Sequence, residues 1–479
     1  MPRRTLLIIV LALLAPVAAL AHGVLRSSVP AKDAHLSVVP TELRLTFTEP
    51  VELAVAALEL SGPGSSGSPV VLSALRHAGD STQVVVADIQ GPMTEGVYTV
   101  AWRITGRDGH PVRGTFAFTV NAGATGIATA ATSATPTPGH GHAAGDDAGT
   151  AKADSGATHA APGTQPQPDE LFGTGSPLFV FVRALTFAGL LGVLGAVVFR
   201  VLILVRAARA GGAGALIERT SSRVLTTGIL AAVVLTVAGV LRLYAQAYAT
   251  HGAEGVLDPA LLTTMVTKTT WGWGWLLQIA ATALVLIGFV IARRGSTGGS
   301  AVAMLGALAL AVSPALSGHA VGAPERAWLA VPNDVLHVIG AGGWMGSLLM
   351  LVAVGIPVAM SLDREVRGRA VSVLVNAFSP IALTFATLAA ATGIISAWLH
   401  LGSFGALWSS DYGRILSIKL LVLLPVVALG AFNWLRVRPS LGDDTGANRI
   451  RRSATAELTI GALVVVVTAV LVATPPAAR

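Results

Sequence analysis

Two hydrophobic rhythms divide the chain. Between residues 22 and 121, apolar and polar positions alternate. Leu43, Leu45 and Phe47 interleave with Arg44, Thr46 and Thr48. Tyr98, Val100, Trp102 and Ile104 interleave with Thr99, Ala101 and Arg103, and Phe116, Phe118 and Val120 repeat the pattern. A period of two sends alternate side chains to one face of a strand, and Gly, Pro and Ser between the runs predict antiparallel turns. The expectation is a small all-β sandwich or barrel, Ig-like with Greek-key connections; about 100 residues suffice for one core. From residue 178 onward the rhythm changes to long apolar runs, at roughly 178–205, 222–248, 271–293, 301–317, 331–359, 374–400, 412–434 and 454–474. Most have the length to cross a bilayer as helices; the fourth is the shortest. Residues 177–479 therefore read as an all-α polytopic membrane domain of about eight transmembrane helices, with the lipid bilayer as its surroundings.

Residues 122–176 carry almost no large apolar side chains and are rich in Ala, Gly, Thr, Pro and Asp. They read as a flexible linker. Gly139-His140-Gly141-His142 and His159 lie within it, near Asp146 and Asp147. His-rich tracts bind metal, so a transient relay stands beside the simpler reading of a plain spacer. At the other end, residues 1–21 read as a secretory signal: Arg3 and Arg4, then Leu6 to Leu14, then the small-residue site Ala19-Leu20-Ala21.

Composition agrees with a membrane protein: 53% hydrophobic, 12% charged, mean hydropathy +0.69. The net charge of +7 does not point to nucleic acid. With the N-terminal domain exported, the inner loops hold Arg206, Arg209, Arg219 and Arg223; Arg293 and Arg294; Arg364, Arg367 and Arg369; and Arg436, Arg438, Arg449, Arg451 and Arg452. Outer loops and their margins hold Lys268, Arg326 and Arg414. That asymmetry is the positive-inside pattern and puts both termini outside a plasma (inner) membrane, with the N-terminal domain on the periplasmic or extracellular side. His251, His319, His337 and His400 then all fall in outer loops or outer halves of spans, and no histidine lies on the inner side. Oligomeric state is not legible from these features.

Candidate chemistry begins at the signal cleavage. Cutting after Ala21 makes His22 the first residue, and its free α-amine and imidazole can chelate one ion. Asp108-Gly109-His110 adds a carboxylate and a second imidazole, two apart and on one side if the segment is extended. Two imidazoles, an amine and a carboxylate form an N/O set that suits the tetragonal preference of Cu(II). The chain has no cysteine, which excludes a thiolate site and leaves His, Met, Asp, Glu or the amine as ligands.

The segment from His22 resembles the CopC family of periplasmic copper-binding proteins. The resemblance is carried by His22-Gly23, Leu45-Thr46-Phe47-Thr48-Glu49-Pro50-Val51, Gly96-Val97-Tyr98-Thr99-Val100 and Asp108-Gly109-His110-Pro111-Val112-Arg113-Gly114 leading into Phe116-Ala117-Phe118. It implies Cu(II) ligation by His22, Asp108 and His110. Taken singly, a His after a signal site is usually incidental and Asp-Gly is a common turn pair; their co-occurrence inside a matching β domain favours function. Glu49 is placed either to orient a ligand from behind or as an exposed strand-end carboxylate. His35 and His77 read as surface residues. Only Met93 lies in this domain, so the Met-rich Cu(I) loop of some relatives is missing and Cu(II) is the expected ion.

The membrane half resembles the CopD family of copper-resistance and copper-uptake membrane proteins. The matching residues are Ser317-Gly318-His319-Ala320, Asn333-Asp334-Val335-Leu336-His337 with Trp344 and Gly346, Asp411-Tyr412-Gly413-Arg414 with Lys419 and Asn433, then Glu457 and Pro475-Pro476. Ionisable groups within spans are expensive and face an interior or a pathway. His337 and Asp334 share a helix side, His319 lies just outside the preceding span, and together they read as an entry site. Met345 and Met350 lie near His337 as soft donors or as packing. Arg183, Arg242 and Lys419 are expected to pair with carboxylates such as Asp411 or to snorkel. Trp271, Trp273 and Trp275 read as an aromatic belt.

Together these features predict a copper-handling protein of the cell envelope, not an enzyme: Cu(II) captured outside and passed to a membrane conduit, for uptake. No ATPase motif is present, so passage runs on a gradient or mass action. Alternatives are efflux and resistance, a haem-holding membrane electron carrier using His337 and His400, and, last, a copper oxygenase.

Overall fold

The computed structural model describes residues 25–63, 68–124, 127–128, 176–322, 326–441, 444–474 and 476–477. His22 and the signal lie outside the described residues, as do His140, His142 and His159 of the expected linker.

The N-terminal strands are β1 (Leu25–Val29), β2 (His35–Leu36), β3 (Val39–Pro40), β4 (Glu42–Phe47), β5 (Ala57–Ser61), β6 (Pro69–Leu72), β7 (Arg76–Ala78), β8 (Ser81–Gln90), β9 (Gly96–Thr105), β10 (Pro111–Val120) and β11 (Ile127–Ala128). Nine pair in the order β1-β4-β8-β6-β5-β9-β10-β2, with β7 added on β8; β11 pairs with β3. Pairing is antiparallel except at β10–β2 and β11–β3. The sheet closes over one core built from the predicted alternation: Leu43, Leu45, Phe47, Tyr98, Val100, Trp102, Phe116 and Phe118 are all buried. Phe47 meets Trp102 edge-on at 5.2 Å and Tyr98 stacks on Phe118 at 5.6 Å; such pairs add about 0.5–1.5 kcal/mol each beyond area burial. The Tyr98 hydroxyl donates to the Thr94 carbonyl (3.0 Å) and accepts from its amide (2.8 Å), which satisfies its polar end inside the core.

Long helices dominate the described residues of the second half. Among the described residues eight are long and apolar enough to cross a membrane: α1 (Pro177–Arg209), α2 (Gly214–Gly255), α4 (Thr270–Arg293), α5 (Thr297–Leu316), α6 (Ala327–Met360), α7 (Arg364–Leu401), α8 (Asp411–Val437) and α9 (Thr445–Leu471). A short helix, α3 (Pro259–Lys268), joins α2 to α4, its first turn capped by the Asp258 side chain. The helices pack through small residues, as expected where lipid removes the hydrophobic drive for association. Gly195 of α1 and Gly346 of α6 are in backbone contact, with no room for a Cβ on either. Apolar side chains such as Leu230, Leu305, Leu421 and Leu424 point outward and remain exposed, as a lipid-facing surface requires.

The β domain sits directly on one end of this helical bundle. Glu52 accepts hydrogen bonds from the Thr270 amide (3.2 Å) and hydroxyl (2.7 Å) at the start of α4. Val55 is buried with Ala247, Val256, Met265 and Trp271. Trp271 is therefore not a lipid-interface residue, as the belt reading expects. It is buried beneath the β domain, while Trp273 remains exposed.

Candidate metal centre

Asp108 and His110 lie in the turn between β9 and β10. Sequence spacing suggests an extended segment; the structure has a tight turn instead. The Gly109 amide donates to the Gly106 carbonyl (2.9 Å) and the Gly106 amide to the His110 carbonyl (3.1 Å). Gly109 makes this possible with φ of +84°. The turn still brings the two side chains together: the His110 amide donates to Asp108 Oδ1 (3.0 Å) and His110 Nδ1 lies 2.8 Å from Asp108 Oδ2.

The third donor comes from the membrane domain. His319 Nε2 lies 3.7 Å from Asp108 Oδ2, and its ring stacks on His110 at 4.8 Å and 10°. One ligand atom each from Asp108, His110 and His319 lie within 4.8 Å of one another, the one group of three His, Asp or Glu donors so placed among the described residues. All three are almost fully buried. Two imidazoles and a carboxylate at this spacing suit a borderline metal such as copper.

The charges are set for a cation. Burial acts to raise the Asp108 carboxyl, but His110 and His319 outweigh it and hold the group well below the usual carboxylate range. Burial, with His110 beside it, pushes the His319 imidazole well down, so it is neutral and its lone pair is available. Glu49 is half-buried on the adjoining strand end, and burial and then the Asp108 charge push it up to about 7. Its Oε2 and Asp108 Oδ1 both lie against Gly106, consistent with a role behind the ligands.

Buried arginines frame the cluster. Arg183 Nη2 lies 3.5 Å from His110 Nε2, and its guanidinium covers the Phe179 ring at 4.5 Å. Arg242 donates to Gln278 Oε1 (3.0 Å), to Ser317 Oγ (2.7 Å) and to the Ser317 carbonyl (3.2 Å). It thereby fixes the end of α5 two residues before His319. Neither Arg183 nor Arg242 pairs with Asp411, which instead meets Arg414 at 3.4 Å. Lys419 does face a carboxylate, as expected, but that carboxylate is Asp334. On the other side of the turn, Gln246 of α2 donates to the Gly109 carbonyl, and the Trp271 side chain packs against Gly109.

A cavity of about 790 Å³ runs from this cluster into the membrane domain, and His400, Asp334, His337 and Met345 are among its lining residues. His400 Nδ1 donates to the Ser396 carbonyl (2.7 Å); the ring approaches His319 edge-on at 6.2 Å and stacks on Tyr412. His337 Nδ1 donates to the Ala389 carbonyl (3.0 Å), which leaves the lone pair on Nε2. His319 and His337 thus line one cavity, and His337 is not part of the donor cluster that holds His319. Met350 is packed in the helical core.

Three family profiles cover most of the chain: the CopC domain (residues 25–121), the copper resistance protein D-like N-terminal domain (174–329) and copper resistance protein D (372–471). Copper resistance protein C of Escherichia coli is 33% identical over 106 residues, 21% of this chain and 83% of that protein. The chain belongs to the CopC/CopD copper resistance family. Copper transport protein CutJ of Bacillus subtilis is 24% identical over 467 residues, 96% of this chain and 75% of that one. Copper resistance protein D of Pseudomonas syringae pv. tomato is 27% identical over 268 residues, 55% of this chain and 83% of that protein. The CopC region thus ends at the turn that carries Asp108 and His110 and the strand that follows, and the CopD-like N-terminal region contains His319. The cluster joins the two halves of the fusion.

Sequence reasoning finds Asp108, His110 and His319 individually, but not their meeting. It singles out Arg242 without its partners, and it misses Gln246, Glu52 and Thr270, which help hold that meeting in place. The Ser317-Gly318-His319 motif is the one signal in the membrane half that pointed to this site.

Proposed function

We propose that this protein takes up copper across the plasma membrane. Cu(II) is captured outside by the CopC-like domain through His22, Asp108 and His110. It passes to a site shared by Asp108, His110 and His319, then into the cavity toward His337 and Asp334. The observation that carries this reading is the convergence of donor atoms from both domains within 4.8 Å at the mouth of a membrane cavity. His319 replaces a ligand without a gap, so the ion need not cross open solvent between the two halves. The arginine distribution of the loops supports an outward-facing β domain, and the family names support copper as cargo.

The test is His319→Ala. The isolated 22–121 domain lacks residue 319 and is expected to keep full Cu(II) binding, while cells carrying the variant lose copper accumulation at limiting copper. His337→Ala is expected to give the same loss. Accumulation unchanged in His319→Ala overturns the shared site. Cells expressing the native protein with less cytoplasmic copper than the null strain overturn the direction.

A further inference from the structure

Below His337 the cavity reaches a second set of donors. Glu457, in the middle of α9, is 5% exposed. Its Oε2 accepts from Asn433 Nδ2 of α8 at 3.1 Å, and its Oε1 lies 3.4 Å from where a Gly430 Cβ would stand. Among the described residues no basic side chain forms an ion pair with it. The Asn433 Oδ1 is buried and has no hydrogen-bond partner. One turn further along α9, Gly461 leaves space that the Met345 side chain of α6 fills, with Sδ 3.4 Å from the Cβ position. Residues 457 and 461 share a helix face one turn apart, which sets the carboxylate and the position the thioether fills on the same side of α9. Glu457, Asn433, Met345 and Gly461 all line the cavity.

We propose that Glu457, Asn433 and Met345 form an inner cation site for monovalent copper, a reading that rests on the cavity being the copper path and on an external one-electron donor, a thiol or a quinol, reducing Cu(II) to Cu(I) before the ion reaches this level. Two arguments select the ion. The chain has no cysteine, and Met345 is the one sulfur lining the cavity among the described residues. A thioether favours Cu(I) over Cu(II), in contrast to the all-N/O cluster at the mouth. Charge gives the same answer. One monovalent ion neutralises one carboxylate, whereas a divalent ion leaves a net positive charge in a low-dielectric, membrane-spanning bundle, where uncompensated charge is costly. The glycine at 461 is what lets the thioether reach this level, since a side chain there would occupy its place.

The experiment uses the full-length protein in lipid nanodiscs with Ag(I), a monovalent soft ion that does not change oxidation state under the assay conditions. X-ray absorption at the silver edge is expected to detect a sulfur neighbour in the native protein and to lose it in Met345→Leu. Glu457→Gln, which keeps an acceptor for Asn433, is expected to weaken Ag(I) binding at least tenfold. His110→Ala is expected to leave the sulfur neighbour in place. A sulfur neighbour that persists in Met345→Leu, or affinity unchanged in Glu457→Gln, overturns the inner site. The two proposals separate cleanly: copper accumulation lost in His319→Ala but silver without sulfur supports the outer exchange and removes the inner site. Accumulation retained in His319→Ala with silver bound to sulfur does the reverse.

Discussion

Adding one methyl group at Gly109 tests whether the β domain works while seated on the helices. Gly109 has φ of +84°, and Trp271 lies against its Cα so closely that a Cβ would fall 2.8 Å from Trp271 Cγ and 3.2 Å from Trp271 Cβ. Gly109→Ala therefore has two separable costs. The left-handed conformation costs about 1–2 kcal/mol and is the same whether or not the domains touch. The collision with Trp271 exists only when they touch; over-packing of this kind costs about 1–3 kcal/mol. At about 1.4 kcal/mol per tenfold, the seated population falls roughly 5- to 150-fold relative to the unseated one. The assay is a spin-label distance between cysteines introduced at Ser81 and Leu257, both exposed, in a chain with no other cysteine. Gly109→Ala is expected to broaden that distance and reduce copper accumulation, while the isolated domain carrying it binds Cu(II) within a few-fold of native. Trp271→Ala in the same chain removes the obstruction and is expected to restore part of the short distance. A native distance distribution and native accumulation in Gly109→Ala would refute the argument.

Three further outcomes follow from the geometry. Glu52→Ala removes an acceptor shared by the Thr270 amide and hydroxyl; hydrogen bonds to charged groups contribute about 1.5–3 kcal/mol, and the same spin-label distance is expected to broaden without loss of Cu(II) affinity in the isolated domain. Glu49, held at about 7 against an ordinary 4.5, favours the folded metal-free protein while protonated. That contribution is full below pH 4.5 and is lost as pH rises toward 7; thermal unfolding of the metal-free full-length protein is expected to track it, and Glu49→Gln to flatten this part of the profile. One residue added before His22 converts its amine to an amide, and Cu(II) titration of the 22–121 domain is expected to show a large loss of affinity; equal affinity would exclude the amine as a ligand.

The alternation of Leu43, Leu45 and Phe47 with polar neighbours, and the runs at 98–104 and 116–120, settle which face of each strand is buried, because a strand's period is fixed by its backbone. The eight spans are legible for the same reason: a bilayer demands uninterrupted apolar length. The helices extend beyond the apolar runs, as α2 does from Gly214 to Gly255, because backbone hydrogen bonding continues after hydropathy ends. What periodicity cannot carry is contact between elements. His319 is separated from Asp108 by more than 200 residues, and nothing in either motif encodes the other. Trp271 has the composition of a lipid-interface residue and becomes a seat for Gly109 only once the β domain's orientation is known. Lys419 finds Asp334 rather than Asp411 because α6 and α8 face each other across the cavity, a relation invisible along one chain.

A ligand set divided between two bodies makes grip on the ion and grip between the bodies a single quantity. If copper binds the joined Asp108, His110 and His319 tenfold more tightly than the separate β domain, then copper strengthens the attachment of that domain by the same tenfold, about 1.4 kcal/mol, by thermodynamic reciprocity. The ion is then a clasp as well as a cargo. Its departure into the membrane loosens the domain that brought it, and the empty carrier is freed by the act of delivery.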